Sequence, residues 1–158
     1  MTSFIVLVVF VVLVAVALIV LKKNRPGNVD GAWPFYVRKP LSAPEQVLYF
    51  RLCKALPENI VLAQVGLSRF LGVKKGNNFQ AWMNRINRMS ADFVVCAKDS
   101  SVLAVVELDD STHERAHRKQ ADAKKDKAIA AAGIRIVRWN VKTIPDDSAI
   151  RLTFAGRA

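Results

Sequence analysis

The sequence is poor in cysteine, and it has no charged side chain before Lys22. Two cysteines, Cys53 and Cys96, cannot build a disulfide framework. Both lie in apolar runs, which is typical of small buried side chains in a reducing compartment. The chain also lacks internal repeats, and after Leu21 its share of apolar residues is ordinary for a soluble domain. These features exclude a polytopic membrane protein and a disordered chain.

The apolar residues are concentrated at the start of the chain. Residues 4–21 are all apolar, and as a helix they would be about 27 Å long, close to the thickness of a bilayer core. This run predicts one transmembrane helix that contacts the lipid bilayer through residues 4–21. The basic residues Lys22, Lys23 and Arg25 follow it directly and predict a cytoplasmic domain. A single-pass protein of a bacterial inner membrane is therefore expected. A cleaved signal peptide is the alternative, but the run lacks a basic segment before it.

Composition divides the chain into three parts. We predict a membrane anchor at residues 1–22, a linker rich in proline and glycine at residues 23–40, and one folded domain at residues 41–154. The length of the third part suits a single domain with its own core.

The folded part has the pattern of an α/β protein. Ser42 and Glu45 resemble a capping box that begins a helix ending near Ala55. Apolar runs predict strands, amphipathic spacing predicts helices, and Gly133 ends the longest helix. The predicted order is a helix at 42–55, a strand at 60–67, a helix at 79–88, strands at 91–97 and 102–108, a helix at 112–132, a strand at 134–139 and a short final helix.

Three acidic residues lie at the ends of the predicted hairpin. Asp92 begins one strand, while Glu107 and Asp109 end the next and point to the same face because they are two residues apart. Carboxylates at the edge of an apolar sheet are costly to bury unless they are paired or bind a cation. Their oxygens suit Mg²⁺ or Mn²⁺, which can activate water and polarise a phosphodiester. An acidic turn or a helix cap is the open alternative.

These segments resemble a known superfamily. The stretches that carry the resemblance are SADFVVC at residues 90–96, VELDDSTH at residues 106–113, and Ala132-Gly133-Ile134 with Val137-Arg138. They resemble the restriction-endonuclease-like PD-(D/E)xK nucleases and, more narrowly, a bacterial family known only as a domain of unknown function that often follows a membrane helix. The resemblance implies an αβββαβ core with a mixed four-stranded sheet. It also implies that Asp92 and Glu107 hold the metal, with Glu45 as an additional acidic ligand.

One position departs from the superfamily pattern. A lysine is expected two residues after the glutamate, where this chain has Asp109. His113 is a candidate replacement, as a general base or a hydrogen-bond donor. Lys119, on the following helix, is a second candidate. His113 and His117 also have the spacing of a metal-binding pair, but no third soft ligand is evident for zinc.

A polyanionic partner is indicated by the net charge of +11. Basic side chains interleaved with Phe79 and Trp82 suit phosphates and exposed bases. Anionic lipid and an ordinary solvated face are the alternatives. The candidate nucleic-acid-binding residues are Arg85, Arg88, Arg115, Arg118, Lys119 and Lys124.

Together these features predict a membrane-anchored nuclease that uses Mg²⁺ or Mn²⁺, with DNA favoured over RNA. The candidate catalytic residues are Asp92, Glu107, Asp109 and His113, and the candidate metal ligands are Asp92, Glu107, Asp109 and Glu45. The alternatives are a nucleic-acid-binding module without catalysis and a membrane-associated interaction protein on the same fold.

Overall fold

The structure is a computed structural model that describes residues 1–23, 33–110 and 116–155; for residues 2–4, 6, 20–23 and 116–121 it describes only the backbone. The chain separates into two compact units, residues 1–38 and residues 39–158. The first contains the helix α1 (Thr2–Lys23). The elements of the second are α2 (Ala43–Ala55), β1 (Ile60–Gly66), α3 (Phe79–Ile86), β2 (Ser90–Cys96), β3 (Val102–Asp109), α4 (Ala116–Ala131), β4 (Arg135–Asn140) and α5 (Asp147–Phe154).

The prediction of a transmembrane helix is wrong. Within residues 1–23, 33–110 and 116–155, none of the helices combines the length and the apolar character that crossing a membrane requires. The predicted localisation, a single-pass protein of the bacterial inner membrane, is corrected by the same finding.

A mixed four-stranded sheet is the centre of the second unit, as predicted. Its strand order is β1-β2-β3-β4. β1 pairs antiparallel with β2 and β2 pairs antiparallel with β3, whereas β3 and β4 are parallel and are connected by α4. In the hairpin between β2 and β3, Ser100 has a φ of 69°, and the Asp99 carboxylate accepts a hydrogen bond from the Ser101 N–H at 2.9 Å. The pairing shifts between Val95 and Cys96, and beyond this irregularity Phe93 pairs with Val106, which places Asp92 near Glu107.

Both faces of the sheet are covered, so β2 and β3 are apolar almost throughout. Phe93 and Val106 pack with Leu48 and Leu52 of α2 and with Ile150 of α5. These residues form the first core cluster. A second core cluster contains Val94 and Val105 of the sheet and Ile129 of α4, together with partly buried residues that precede β2. Strands buried on both faces have continuous apolar runs, and this is why the sequence predicted them well.

The start of α2 also agrees with its prediction. The Glu45 carboxylate accepts a hydrogen bond from the Ser42 backbone N–H at 2.5 Å, as a capping box requires. Both cysteines are free thiols, with Cys96 buried and Cys53 half-buried. The helix start holds Glu45 close enough to Asp92, near the start of β2, to contribute to the raised pKa of that carboxyl.

Candidate functional site

The hairpin brings Asp92 and Glu107 together. Phe93 pairs with Val106 in the antiparallel register, so the next position outward places Asp92 opposite Glu107. Cβ atoms of such opposite residues lie about 5 Å apart. Asp92 Oδ2 accepts a hydrogen bond from the Leu108 N–H at 2.9 Å, which holds this carboxylate beside the end of β3. Two carboxylates from the neighbouring inner strands β2 and β3 therefore lie at the same end of the sheet.

Glu107 is buried, and its two oxygens have different surroundings. The residue is only 3% exposed. Oε2 accepts a hydrogen bond from Lys125 Nζ at 2.6 Å. Oε1 is buried and has no hydrogen-bond partner among the described residues. A buried acceptor without a donor is destabilising by about 1–3 kcal/mol, so Oε1 is well suited to bind a cation.

The ammonium group of Lys125 is the charge nearest to this pair. Its Nζ lies 2.6 Å from Glu107 Oε2 and 3.4 Å from the backbone oxygen of Ser90, the first residue of β2. Its side chain is only 14% exposed. Such an ion pair keeps its strength because little water screens it, but each charge also loses hydration. Lys125 thus fixes one side of the carboxylate pair.

Burial raises the pKa of both carboxylates. It raises the pKa of Glu107 to about 7; Lys125 opposes this shift, and the neighbouring charge of Asp92 adds to it. Burial also raises the pKa of Asp92, while the Leu108 N–H and Lys125 oppose the rise. A buried carboxylate whose ionised form is further disfavoured by a neighbouring carboxylate is a common feature of functional sites.

Asp109 lies outside this pair. Its Oδ2 accepts from Arg138 Nη1 at 3.2 Å, and the same guanidinium also pairs with Asp126 of α4. The negative charge of Asp109 contributes to the raised pKa of Asp92, so the two residues are close enough to interact electrostatically. In the described part of the chain, however, no group of three or more acidic, histidine or cysteine residues is arranged to hold a metal. The central group is therefore Asp92, Glu107 and Lys125.

Glu45 is a neighbour of the site and has other contacts. Its Oε1 accepts from Gln64 Nε2 at 3.0 Å, and its Oε2 caps α2. Its charge also contributes to the raised pKa of Asp92. Glu45 is thus held near the pair by β1 and by its own helix.

The sequence analysis did not identify Lys125, although a signal was present. Asp122, Lys125, Asp126 and Ile129 have the spacing of one helix face, and Ile129 is completely buried. Lys125 is one helical turn before Ile129 and therefore lies on the same inner face of α4. Lys124, by contrast, is exposed.

The other predicted residues are on the surface or outside the described residues. Arg85 lies on α3 and Arg88 in the loop after it, and both are exposed. His113 and Arg115 lie outside the residues that the structure describes, as do the side chains of Arg118, Lys119 and His117. Their predicted roles stay predictions.

We expect the metal-free protein to lose stability as the pH rises from about 5 to about 8. Below the ordinary pKa of 4.5 Glu107 is protonated in both folded and unfolded chains, but between 4.5 and about 7 only the folded chain keeps its proton. This contribution is therefore present at low pH and is lost as the pH rises through about 7, with an upper limit of about 3 kcal/mol. Calorimetry in EDTA at several pH values measures it. Glu107→Gln should have a flatter profile, and an equal slope in both proteins would contradict the assignment.

The comparisons with known proteins agree with the boundaries of the folded unit. Residues 37–156, more than half of the chain, match the family model described as protein of unknown function (DUF2726). The match begins near the start of the second compact unit and includes every strand of the sheet. Neither the curated proteins nor the solved structures contain a significant match. The chain therefore belongs to the family of proteins of unknown function named DUF2726.

Proposed function

We propose that this protein is a metal-dependent phosphodiesterase that cleaves nucleic acid. The observation that carries the proposal is the buried oxygen Oε1 of Glu107, which has no hydrogen-bond partner among the described residues and belongs to a carboxylate opposite Asp92. A resemblance to the PD-(D/E)xK nucleases supports it, because that superfamily places an aspartate and a glutamate on neighbouring strands. Carboxylate oxygens are also the ligands that Mg²⁺ and Mn²⁺ prefer.

The residues present fit a divalent ion. Glu107 through Oε1 and Asp92 through the oxygen that does not accept from Leu108 would hold it. The ion, when bound, would lower the pKa of a water and polarise the scissile phosphate. The two carboxylates would orient it, and the apolar sheet behind them would exclude bulk water.

Lys125 provides a charge that the superfamily pattern places elsewhere. The expected lysine two residues after Glu107 is replaced by Asp109, whereas α4 places the Lys125 ammonium 2.6 Å from the Glu107 carboxylate. A cation at this place would stabilise the negative charge that develops on the phosphate in the transition state. It would also orient the attacking water. In this proposal a lysine from α4 takes the role of the missing strand lysine.

One observation favours a second candidate function, a nucleic-acid-binding module without catalysis. Lys125 already neutralises Glu107, so the carboxylate has a partner even without a metal. A stable ion pair of this kind can be structural. Asp92 also has a structural contact, through the Leu108 N–H.

Cleavage of labelled oligonucleotides by the full-length protein distinguishes the two functions. We expect single-stranded or duplex substrate to be cut in Mg²⁺ or Mn²⁺ and to stay intact in EDTA. Product analysis on gels measures the rate, and calorimetry with Mn²⁺ measures metal binding. Nucleic-acid binding without metal binding and without cleavage would reject the enzyme in favour of the binding module.

A further inference from the structure

The segment between β1 and β2 has an unusual distribution of charge. No acidic residue occurs between Glu58 and Asp92, whereas this interval contains five basic residues. These are Arg69, Lys74, Lys75, Arg85 and Arg88. A segment that is basic throughout attracts a polyanion more strongly than a mixed surface does.

The helix within this segment exposes its aromatic side chains. Phe79, Trp82, Met83 and Ile86 have the spacing of one apolar helix face, yet Phe79 is 59% exposed and Trp82 is 47% exposed. The end of α3 is anchored, because Ile86 and the following Met89 pack against the second core cluster. Large aromatic side chains that stay exposed on an apolar face are typical of a surface that binds a partner.

Trp82 also has a cationic neighbour. The Arg85 guanidinium lies 4.3 Å from the centre of the Trp82 ring. The guanidinium lies over one face of the ring, so this pair holds the indole in place and a base would stack on the opposite face. A flat ring next to a guanidinium suits a nucleobase, which can stack on the ring while its phosphate meets the cation.

The position of α3 connects this surface to the carboxylate pair. The segment leaves the sheet after Gly66 and returns at Ser90, beside the end of the antiparallel strand β3. Asp92 and Glu107 lie at this same end, and Lys125 Nζ is 3.4 Å from the Ser90 oxygen. A strand of nucleic acid bound along α3 would therefore approach the site from the Ser90 side.

We propose that α3 binds unpaired bases, so that the ligand of this site is single-stranded nucleic acid or a duplex with a single-stranded end. The inference depends on the proposed function in taking nucleic acid as the ligand, and it adds the class of nucleic acid. A base can stack on an aromatic side chain only if its face is exposed, and in a continuous duplex the neighbouring base pairs cover the base faces. Phosphate contacts alone would bind both forms, so the exposed rings of Phe79 and Trp82 make the difference.

Binding of labelled oligonucleotides by the full-length protein in EDTA tests this inference without cleavage. We compare a thymidine oligonucleotide of about 20 nucleotides with a duplex of equal length by fluorescence anisotropy. Trp82→Ala should weaken single-strand binding about 10-fold and change duplex binding by less than about 2-fold. Trp82→Phe should restore part of the loss, since it keeps an aromatic face. Phe50→Ala, which removes an exposed aromatic side chain on α2, is the matched control and should change neither.

Several results would overturn the inference. One is equal affinity of the wild type for the single strand and the duplex. A second is an equal loss of affinity for both in Trp82→Ala. A third is binding of phosphatidylserine vesicles in place of either nucleic acid. The proposed enzyme is judged separately by cleavage in Mg²⁺ or Mn²⁺. Cleavage that is insensitive to Trp82 would reject only this inference, whereas selective single-strand binding without cleavage would reject only the enzyme.

Discussion

Replacing Glu107 by glutamine should reduce metal-dependent cleavage on the order of 10³-fold, to the background of the assay. The substitution keeps the size of the side chain but removes the negative charge that would hold the ion. The substitution also leaves the partly buried Lys125 ammonium without its negative partner, so the rate must be compared at a temperature at which the variant is fully folded. Single-turnover cleavage in Mn²⁺ measures the rate, and thermal unfolding in EDTA checks the fold.

Glu58→Gln is the matched control for this experiment. Glu58 is an exposed carboxylate that pairs with Lys98 near the turn between β2 and β3, at the opposite end of these strands from Asp92. The Glu58→Gln variant should cleave nucleic acid at the wild-type rate and bind Mn²⁺ as well as the wild type does. Cleavage by Glu107→Gln within about 10-fold of the wild-type rate would contradict the assignment of Glu107 as a metal ligand.

Most of the fold could be predicted because its elements have strong local signals. β2 and β3 are apolar on both faces and are separated by Asp99 and Ser100, residues that favour turns. Gly133, whose φ of 74° lies in the left-handed region, ends α4 close to where the sequence predicted. The transmembrane helix was predicted from the length and apolar character of residues 4–21 and from the basic residues after them, but no helix among the described residues meets the requirements of a membrane span.

The candidate site could be predicted only in part. That Asp92 and Glu107 lie near each other follows from the hairpin, but their exact pairing also depends on the register shift between Val95 and Cys96, which the sequence analysis did not predict. Lys125 does not follow in this way. The described part of α4 has several charged residues and one completely buried residue, Ile129, so the only mark of its inner face is the spacing from that residue. The sequence predicts which lysine lies on the inner face only if Ile129 is first recognised as the buried residue.

Lys125 is the subject of the second large prediction. Lys125→Met should slow cleavage about 10²–10³-fold, because it removes the cation proposed to stabilise charge on the phosphate. The methionine keeps much of the apolar stem, and the half-buried position should tolerate it. Binding of Mn²⁺ should persist or become tighter, since Glu107 Oε2 loses the ammonium that holds it at 2.6 Å.

Lys124→Met is the matched control, because it removes the same charge from an exposed position one residue away. It should weaken nucleic-acid binding slightly and leave the rate at saturating substrate unchanged. Equal losses of rate in the two variants would mean that Lys125 contributes only to the general positive charge of α4. Loss of Mn²⁺ binding in Lys125→Met would instead mean that the lysine organises the carboxylate pair, and that the Lys125–Glu107 ion pair is structural. The proposed catalytic role of Lys125 therefore requires a slower rate together with retained metal binding, a combination that neither a surface charge nor a structural ion pair would produce.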